Sequence, residues 1–210
     1  MLAMSILTDE LPYAVDILGS KVPITWGFRA SIKFSEIMMS DIPADEKILK
    51  GADIYYGKRA YDFSEKEAYE GIKKMLWFYS GGIQLDDDEE VHHGKARKQK
   101  RIYSFEDDGD YIYSAFREQF NVDLSKEDLH WWQFRALFSC ISSNTRFGKI
   151  LEFRSADLSK ITSSEEREYY RKMQKEYALK RKTDAKERKL IDDINSALMR
   201  GDDISELLKG

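Results

Sequence analysis

Cysteine, proline and histidine are scarce in this chain of 210 residues, which has one Cys, three Pro and three His. A single cysteine, Cys140, excludes an intrachain disulfide and a zinc site built from a cysteine cluster. No apolar run approaches the roughly 18 residues that a transmembrane helix needs. The amino terminus reaches Asp9 and Glu10 without the basic start of a secretory signal. These absences predict a protein of the reducing cytoplasm with no membrane partner.

A basic excess is also lacking, since 34 Lys and Arg stand against 38 Asp and Glu for a net charge of −4. Domains that wrap nucleic acid usually carry such an excess, so no nucleic-acid partner is expected. The basic cluster from Lys95 to Arg101 resembles a nucleic-acid or localisation tract. The five acidic residues 86–90 directly before it would neutralise its field within a Debye length of about 8–10 Å.

Motifs of catalysis and cofactor binding are missing as well, because the chain holds no GxGxxG, GxxxxGK or GxSxG pattern. Cys140 lies in an apolar run and is interpreted as a core thiol of low reactivity. His130 is interpreted as a core or boundary histidine with a hydrogen-bonded ring. His92 and His93 leave a weak metal site as the alternative to a solvated polar loop, which composition favours. We therefore expect no catalytic residue, no cofactor and no metal in a protein that is not an enzyme.

The first half of the chain predicts a small β-hairpin followed by helices. Gly19 offers the positive φ of a tight turn between strands at 13–17 and 22–26. The four residues from Ser64 to Glu67 form a capping-box pattern that opens a helix ending at Ser80. Two shorter helices are predicted before it, at about 28–41 and 44–55. The charged stretch 82–101 predicts a long mobile loop.

The second half predicts the core. A helix starting near Asp107 or Asp108 is followed by one at about 126–141, capped near Ser125 and apolar around most of its circumference. Trp131 and Trp132 belong to that helix, which we expect to be buried. The fold class predicted is mainly α, with a compact helical body around this Trp-rich helix, a small N-terminal hairpin and a long charged C-terminal helix. The predicted domains are 1–160, containing the hairpin and the loop, and a helical extension at 161–210.

One sparse apolar stripe marks the charge-dense helix predicted at 164–200. Tyr169, Tyr170, Met173 and Tyr177 follow one another at i, i+1, i+4 and i+8. Such a stripe either docks the helix onto the body or contacts a partner, for which aromatic and Met side chains are favoured anchors. These four are the candidate partner-binding residues.

Three segments resemble a known family. They are Arg101-Ile102-Tyr103-Ser104-Phe105, then Asp110-Tyr111-Ile112-Tyr113-Ser114-Ala115-Phe116, and Leu129-His130-Trp131-Trp132-Gln133-Phe134-Arg135-Ala136-Leu137. Together they are similar to the bacteriophage gene-product-fifteen family of siphophages and prophages of Gram-positive bacteria. The resemblance covers about residues 10–180, and the LHWWxFxAL run is its most specific part.

This resemblance implies a non-enzymatic phage tail assembly chaperone that binds the tape-measure protein during tail morphogenesis. The major tail protein and a second copy of the chain are further candidate partners. The protein is expected in the cytoplasm of the infected bacterial host and not in the mature virion. A structural tail or connector subunit retained in the virion is the alternative, and a nucleic-acid-binding regulator is a weaker one.

Overall fold

A computed structural model describes residues 6–83 and 101–180, and these contain seven α-helices and one two-stranded sheet. Two units are distinguished, Met1–Tyr177 and Ala178–Gly210, and only the first three residues of the smaller unit are described. The mainly α prediction is confirmed. The elements are β1 Ala14–Ile17, β2 Ser20–Pro23, α1 Phe28–Met38, α2 Ala44–Tyr56, α3 Glu65–Tyr79, α4 Gly109–Phe120, α5 Trp131–Ser139, α6 Arg146–Ser155 and α7 Ser164–Glu176, with 3-10 helices at Gly57–Asp62 and Leu158–Lys160.

The predicted hairpin is present at the amino-terminal end. β1 and β2 pair antiparallel with Ala14 opposite Pro23. The two-residue turn holds Leu18 at φ 51° and Gly19 at φ 86°, and positive φ at both central residues matches the twist of the flanking strands. The second strand ends at Pro23, short of the predicted residue 26, although the Ile24 N–H still donates to the Tyr13 carbonyl at 3.1 Å.

Helices α1 to α3 lie close to their predicted bounds. The Ser64 side chain accepts from the Glu67 backbone N–H, and the Glu67 carboxylate accepts from the Ser64 backbone N–H. The predicted capping box is therefore confirmed. Gly51 lets α2 approach α1 closely, because a Cβ there would lie 2.6 Å from the Phe34 ring. Phe34 is fully buried and meets the Tyr55 ring edge-on at 5.3 Å.

Helix α5 begins later than predicted. It starts at Trp131 with His130 as its N-cap, so the predicted start near residue 126 is wrong. Two long-range bonds hold the preceding backbone extended, from Phe28 N–H to the Leu129 carbonyl and from Trp131 N–H to the Trp26 carbonyl. The Leu129 carbonyl and the Trp131 N–H are therefore not available for the hydrogen bonds within a helix that runs through residue 129.

The Ser125 region forms a turn instead of a helix cap. The Asp123 carboxylate accepts from both the backbone N–H and the hydroxyl of Ser125, at 3.1 and 2.6 Å. The Asp123 backbone N–H donates to the Glu127 carboxylate at 3.0 Å. Acidic and hydroxyl residues thus satisfy one another here, as they commonly do in Asx turns.

Helix α5 nevertheless lies at the centre of the core, as predicted. Trp131, Trp132 and Phe134 are all buried on it. The Phe134 ring stacks on Phe28 and Phe116, with centroids 4.9 and 5.1 Å apart. Phe28 comes from α1 and Phe116 from α4, so this helix joins the two halves of the described chain.

The cysteine prediction is wrong. Cys140 is exposed and caps the carboxyl end of α5, one residue beyond its last helical position. The predicted helix extends two residues too far, to residue 141, because α5 ends at Ser139 and the Cys140 side chain is exposed.

A buried ion pair that the sequence analysis did not predict ties α4 to α6. Arg154 donates two bonds to the Asp108 carboxylate, at 2.7 and 2.9 Å. The side chains are 7% and 1% exposed. Arg154 also donates to the carbonyls of Ile102 and Tyr177. One guanidinium therefore joins the start of α4, the segment before it and the end of α7.

Helix α7 covers the first part of the predicted charged helix and packs against α6. It is shorter than predicted and ends at Glu176, since Tyr177 leaves helical geometry. The Tyr177 carbonyl accepts a hydrogen bond from Arg154. The rest of that predicted helix, from residue 181, lies outside the described residues, as does most of the predicted loop 82–101. The predicted domain boundary at residue 160 stays a prediction, because most of the smaller unit is not described.

Candidate functional site

The three tyrosines of the predicted site surround one ring of α6. The Phe153 centroid lies 5.9 Å from Tyr169, 5.6 Å from Tyr170 and 6.1 Å from Tyr177, the last pair stacked and the others edge-on. Met173 is half-buried on α7. The structure therefore brings the three tyrosines together as an aromatic cluster around Phe153.

Hydrogen bonds reinforce the contact between α7 and α6. The Tyr170 hydroxyl donates to the Glu152 carboxylate at 2.8 Å, and this bond raises the pKa of Tyr170 above its usual value. Gln174 donates to the carbonyls of Phe153 and Ala156, at 2.8 Å each. Much of the predicted stripe therefore packs on α6, which is the arrangement expected if the stripe docks the helix onto the body.

Tyr169 retains the most accessible surface of the stripe. It is 52% exposed, although its ring touches Phe153 and Tyr170. A half-exposed aromatic ring held by neighbours loses little side-chain freedom when a partner covers it. Partner binding by the stripe remains a prediction, and Tyr169 is the member best placed for it.

His130 has a structural role of the kind predicted. Its Nδ1 accepts from the Trp132 backbone N–H at 3.1 Å, and its Nε2 lies 3.1 Å from the Pro12 carbonyl. These contacts fix the neutral tautomer that carries its proton on Nε2. Burial lowers the pKa of His130, against the opposing effect of the Pro12 carbonyl. The imidazole therefore caps α5 in its neutral form.

A groove beside α5 was not found by sequence reasoning. Its volume is about 600 Å³. The wall is mainly aromatic and is formed by the end of α3, the segment before α4 and one side of α5, with Tyr79, Tyr103, Phe105, Trp131, Arg135 and Phe138 among its lining residues. Trp131 stacks on Tyr79 with centroids 5.5 Å apart, and its indole N–H donates to the Tyr79 carbonyl at 2.8 Å. The groove therefore has a fixed shape on this side.

One guanidinium group lines this aromatic groove, and a second bonds one of its lining residues. Arg135 lies over the Trp131 ring at 6.0 Å and donates to the Tyr79 carbonyl at 3.3 Å. Arg101 donates to the Tyr103 carbonyl at 3.0 Å. Burial raises the pKa of the Tyr103 hydroxyl, while both guanidinium groups oppose the rise. Both cations therefore act on the Tyr103 hydroxyl, and Arg135 is the charged residue among the described lining residues of the groove.

A sequence signal for this groove existed in part. Arg135 follows Trp131 by four residues, which places both on one helix face, although the apolar pattern around the tryptophans by itself indicates only a core. Tyr79 and Tyr103 could not have been added, because nothing local in the sequence brings them to α5.

No metal-binding or membrane-spanning feature is found within residues 6–83 and 101–180. These residues contain no cluster of three or more His, Cys, Asp and Glu side chains able to hold a metal ion. No helix among them has the length and apolar character needed to cross a bilayer. His92 and His93, the candidates for a weak metal site, lie outside the described residues.

Comparison with known proteins yields one family. No curated protein and no solved structure matches the chain significantly. The family model described as bacteriophage Gp15 protein matches residues 7–179 and thus most of the sequence. This is a phage structural and assembly family that is not known as enzymatic. The extent of the match establishes that the chain belongs to the bacteriophage Gp15 family.

Proposed function

We propose that this protein is a tail assembly chaperone that binds the tape-measure protein in the infected cell and leaves before the virion matures. Membership of the bacteriophage Gp15 family over residues 7–179 is the observation that carries the proposal. A protein of this kind acts by binding and release, so it needs accessible apolar anchors on a stable body.

The described body supplies those features. Its core is a hydrophobic cluster rich in aromatic rings, and the buried pair of Asp108 and Arg154 ties α4 to α6. On its surface Tyr169 is half exposed, and the groove beside α5 opens an aromatic wall to solvent. Rigid aromatic side chains are typical binding anchors. These features support a binding protein and name two surfaces to test.

Co-expression tests the proposal. The tape-measure protein encoded by the same phage is produced with and without this chain, and its soluble fraction and co-purification are measured. We expect the soluble fraction to rise and the two proteins to co-purify. A tape-measure protein whose solubility is unchanged and which does not co-purify would overturn the proposal.

A pair of tyrosine variants tests the predicted site on α7. Tyr169→Ala removes the half-exposed anchor, and Tyr61→Ala removes a tyrosine that is 75% exposed on the 3-10 helix Gly57–Asp62. Loss of one interface anchor typically costs about 1–2 kcal/mol, or about a five- to thirtyfold weaker affinity. We expect that loss for Tyr169→Ala alone, with normal melting of both variants. Equal affinities would remove Tyr169 from the interface and leave the co-expression test intact.

Tyr170→Ala combined with Met173→Ala tests the remainder of the stripe. Since Tyr170 bonds Glu152 and packs on Phe153, this double variant is expected to melt at a lower temperature. Normal melting together with lost co-purification would instead place these two residues at the partner interface.

A further inference from the structure

The groove beside α5 combines an aromatic wall with one cation, Arg135, and this combination limits what it can bind. In the part of the chain that the structure describes, no acidic side chain lines the groove. Arg135 is its charged lining residue, and the guanidinium lies over the Trp131 ring, 6.0 Å from the centroid. An apolar ligand would gain from the walls, and a carboxylate on it would gain from the arginine.

The donors of Arg135 are incompletely used. A guanidinium has five N–H donors, and the bond to the Tyr79 carbonyl at 3.3 Å is the one found for Arg135 among the described residues. Arg101, which donates to the Tyr103 carbonyl at 3.0 Å and to the Ser104 hydroxyl at 2.8 Å, adds a second positive charge beside Tyr103 without lining the groove. A carboxylate is the group that matches the planar N–H donors of one guanidinium in charge and geometry.

The aromatic rings are arranged for side-chain packing more than for base stacking. Trp131 already stacks on Tyr79, with an interplanar angle of 12°, and Tyr103 packs on Phe138 at 5.1 Å. Faces covered in this way are not free to stack with successive bases, which single-stranded nucleic acids require. The net charge of −4 further disfavours a polyanion.

We propose that this groove binds an apolar peptide segment that carries a carboxylate, with Arg135 pairing the carboxylate and the aromatic wall covering the apolar side chains. The segment belongs to another protein. The inference relies on the proposed function only for the source of that segment, which is a phage tail protein.

The binding probe is an array of overlapping peptides that covers the tape-measure protein and the major tail protein of the same phage. Peptides that bind are titrated in solution, and tryptophan fluorescence is followed because Trp131 and Trp132 line the groove. We expect the bound peptides to combine apolar residues with Asp or Glu. Replacing that acidic residue by its amide is expected to weaken binding about tenfold, the typical effect of a charge-assisted hydrogen bond.

Three variants of the chain locate the site. Arg135→Gln removes the cation, and Ala136→Glu places a carboxylate at an exposed lining position without touching the core. Arg117→Gln removes the same charge from an exposed position of α4 outside the groove and is the matched control. The first two are expected to weaken binding about tenfold each, while the control keeps the affinity and all three keep the melting temperature.

Several outcomes would overturn the inference. Equal affinity of Arg135→Gln and the unmodified chain would do so, as would displacement of the peptide by a single-stranded oligonucleotide. Peptide binding that appears only after residues 86–90 are neutralised would assign the groove to the chain's own acidic run. Co-purification of the intact tape-measure protein with full affinity for Arg135→Gln would reject the groove and keep the proposed function. Failure of that protein to co-purify with the unmodified chain would reject the function, and the major tail protein peptides would then decide on the groove.

Discussion

Replacing Trp132 by alanine is the most direct perturbation of the core. The side chain is 6% exposed and its indole N–H donates to the Phe78 carbonyl at 2.8 Å. Its ring meets Trp77 at 5.5 Å and His130 at 5.9 Å, and Gly82 packs against its far edge. Truncation would therefore open a space between the end of α3 and the start of α5.

The expected loss follows from these contacts. Truncating a buried tryptophan to alanine costs about 3–5 kcal/mol, including the cavity that remains. The Phe78 carbonyl keeps one partner, because the Gly81 N–H also donates to it at 3.1 Å. It is therefore not left unsatisfied, and the penalty for a buried polar group without a partner does not apply. We expect the free energy of unfolding to fall by about 3–5 kcal/mol, which is a large fraction of the stability of a typical domain.

Urea denaturation followed by circular dichroism measures this change. Trp132→Phe keeps a ring and loses the hydrogen bond, so a smaller loss of about 1–2 kcal/mol is expected. Tyr69→Ala is the surface control, because that side chain is 60% exposed, and it should change stability by less than about 0.5 kcal/mol. A loss below about 1 kcal/mol for Trp132→Ala would refute the central position of α5.

Three further perturbations probe other parts of the body. Arg154→Met leaves the Asp108 carboxylate buried without its ion pair, so the free energy of unfolding should fall by about 3–5 kcal/mol in urea titrations, and adding Asp108→Asn should recover part of it. Burial lowers the pKa of His130, so the unfolded chain takes up a proton that the folded chain does not, and stability should fall as the pH drops below about 6.5. His130→Asn keeps a capping acceptor and should flatten that pH profile, and an unchanged slope would contradict this origin. Gly148→Ala would place a Cβ 2.2 Å from the Ser142 carbonyl oxygen, whereas Gly109→Ala meets nothing within 4 Å, so thermal melting should drop for the first alone, by the equivalent of about 1–3 kcal/mol.

Local signals in the sequence were sufficient for the turns and caps. Gly19 placed the hairpin turn, and the pattern from Ser64 to Glu67 placed the start of α3 because both bonds of a capping box join residues three apart. The apolar density around Trp131 correctly marked the helix at the centre of the core. In each case the determining contacts lie within a few residues of one another.

Long-range contacts explain the errors. The start of α5 depends on backbone hydrogen bonds that join Trp26 and Phe28 to residues about a hundred positions later. The spacing of apolar residues in the sequence does not indicate these bonds. The pair of Asp108 and Arg154 also joins distant positions, 46 residues apart. Sequence patterns that supply a plausible local alternative, such as the cap signal at Ser125, are then overruled by tertiary structure.

The candidate binding surfaces show the same division. The stripe could be predicted because Tyr169, Tyr170 and Met173 share α7 and Tyr177 follows at its end, but its docking on Phe153 of α6 could not. Of the groove, Trp131, Arg135 and Phe138 share helix α5, while Tyr79 and Tyr103 come from separate segments. Predicting that surface required the packing of α3 and α5.

Quantitative mass spectrometry of two samples from one infected culture tests the chaperone role most directly. The first sample is the complex that co-purifies with this chain from infected cells, and the second is the purified virion. An assembly chaperone predicts the tape-measure protein in the first sample and no stoichiometric amount of this chain in the second. Recovery of this chain in virions at a fixed ratio to the tail proteins would contradict the role and identify a structural tail subunit.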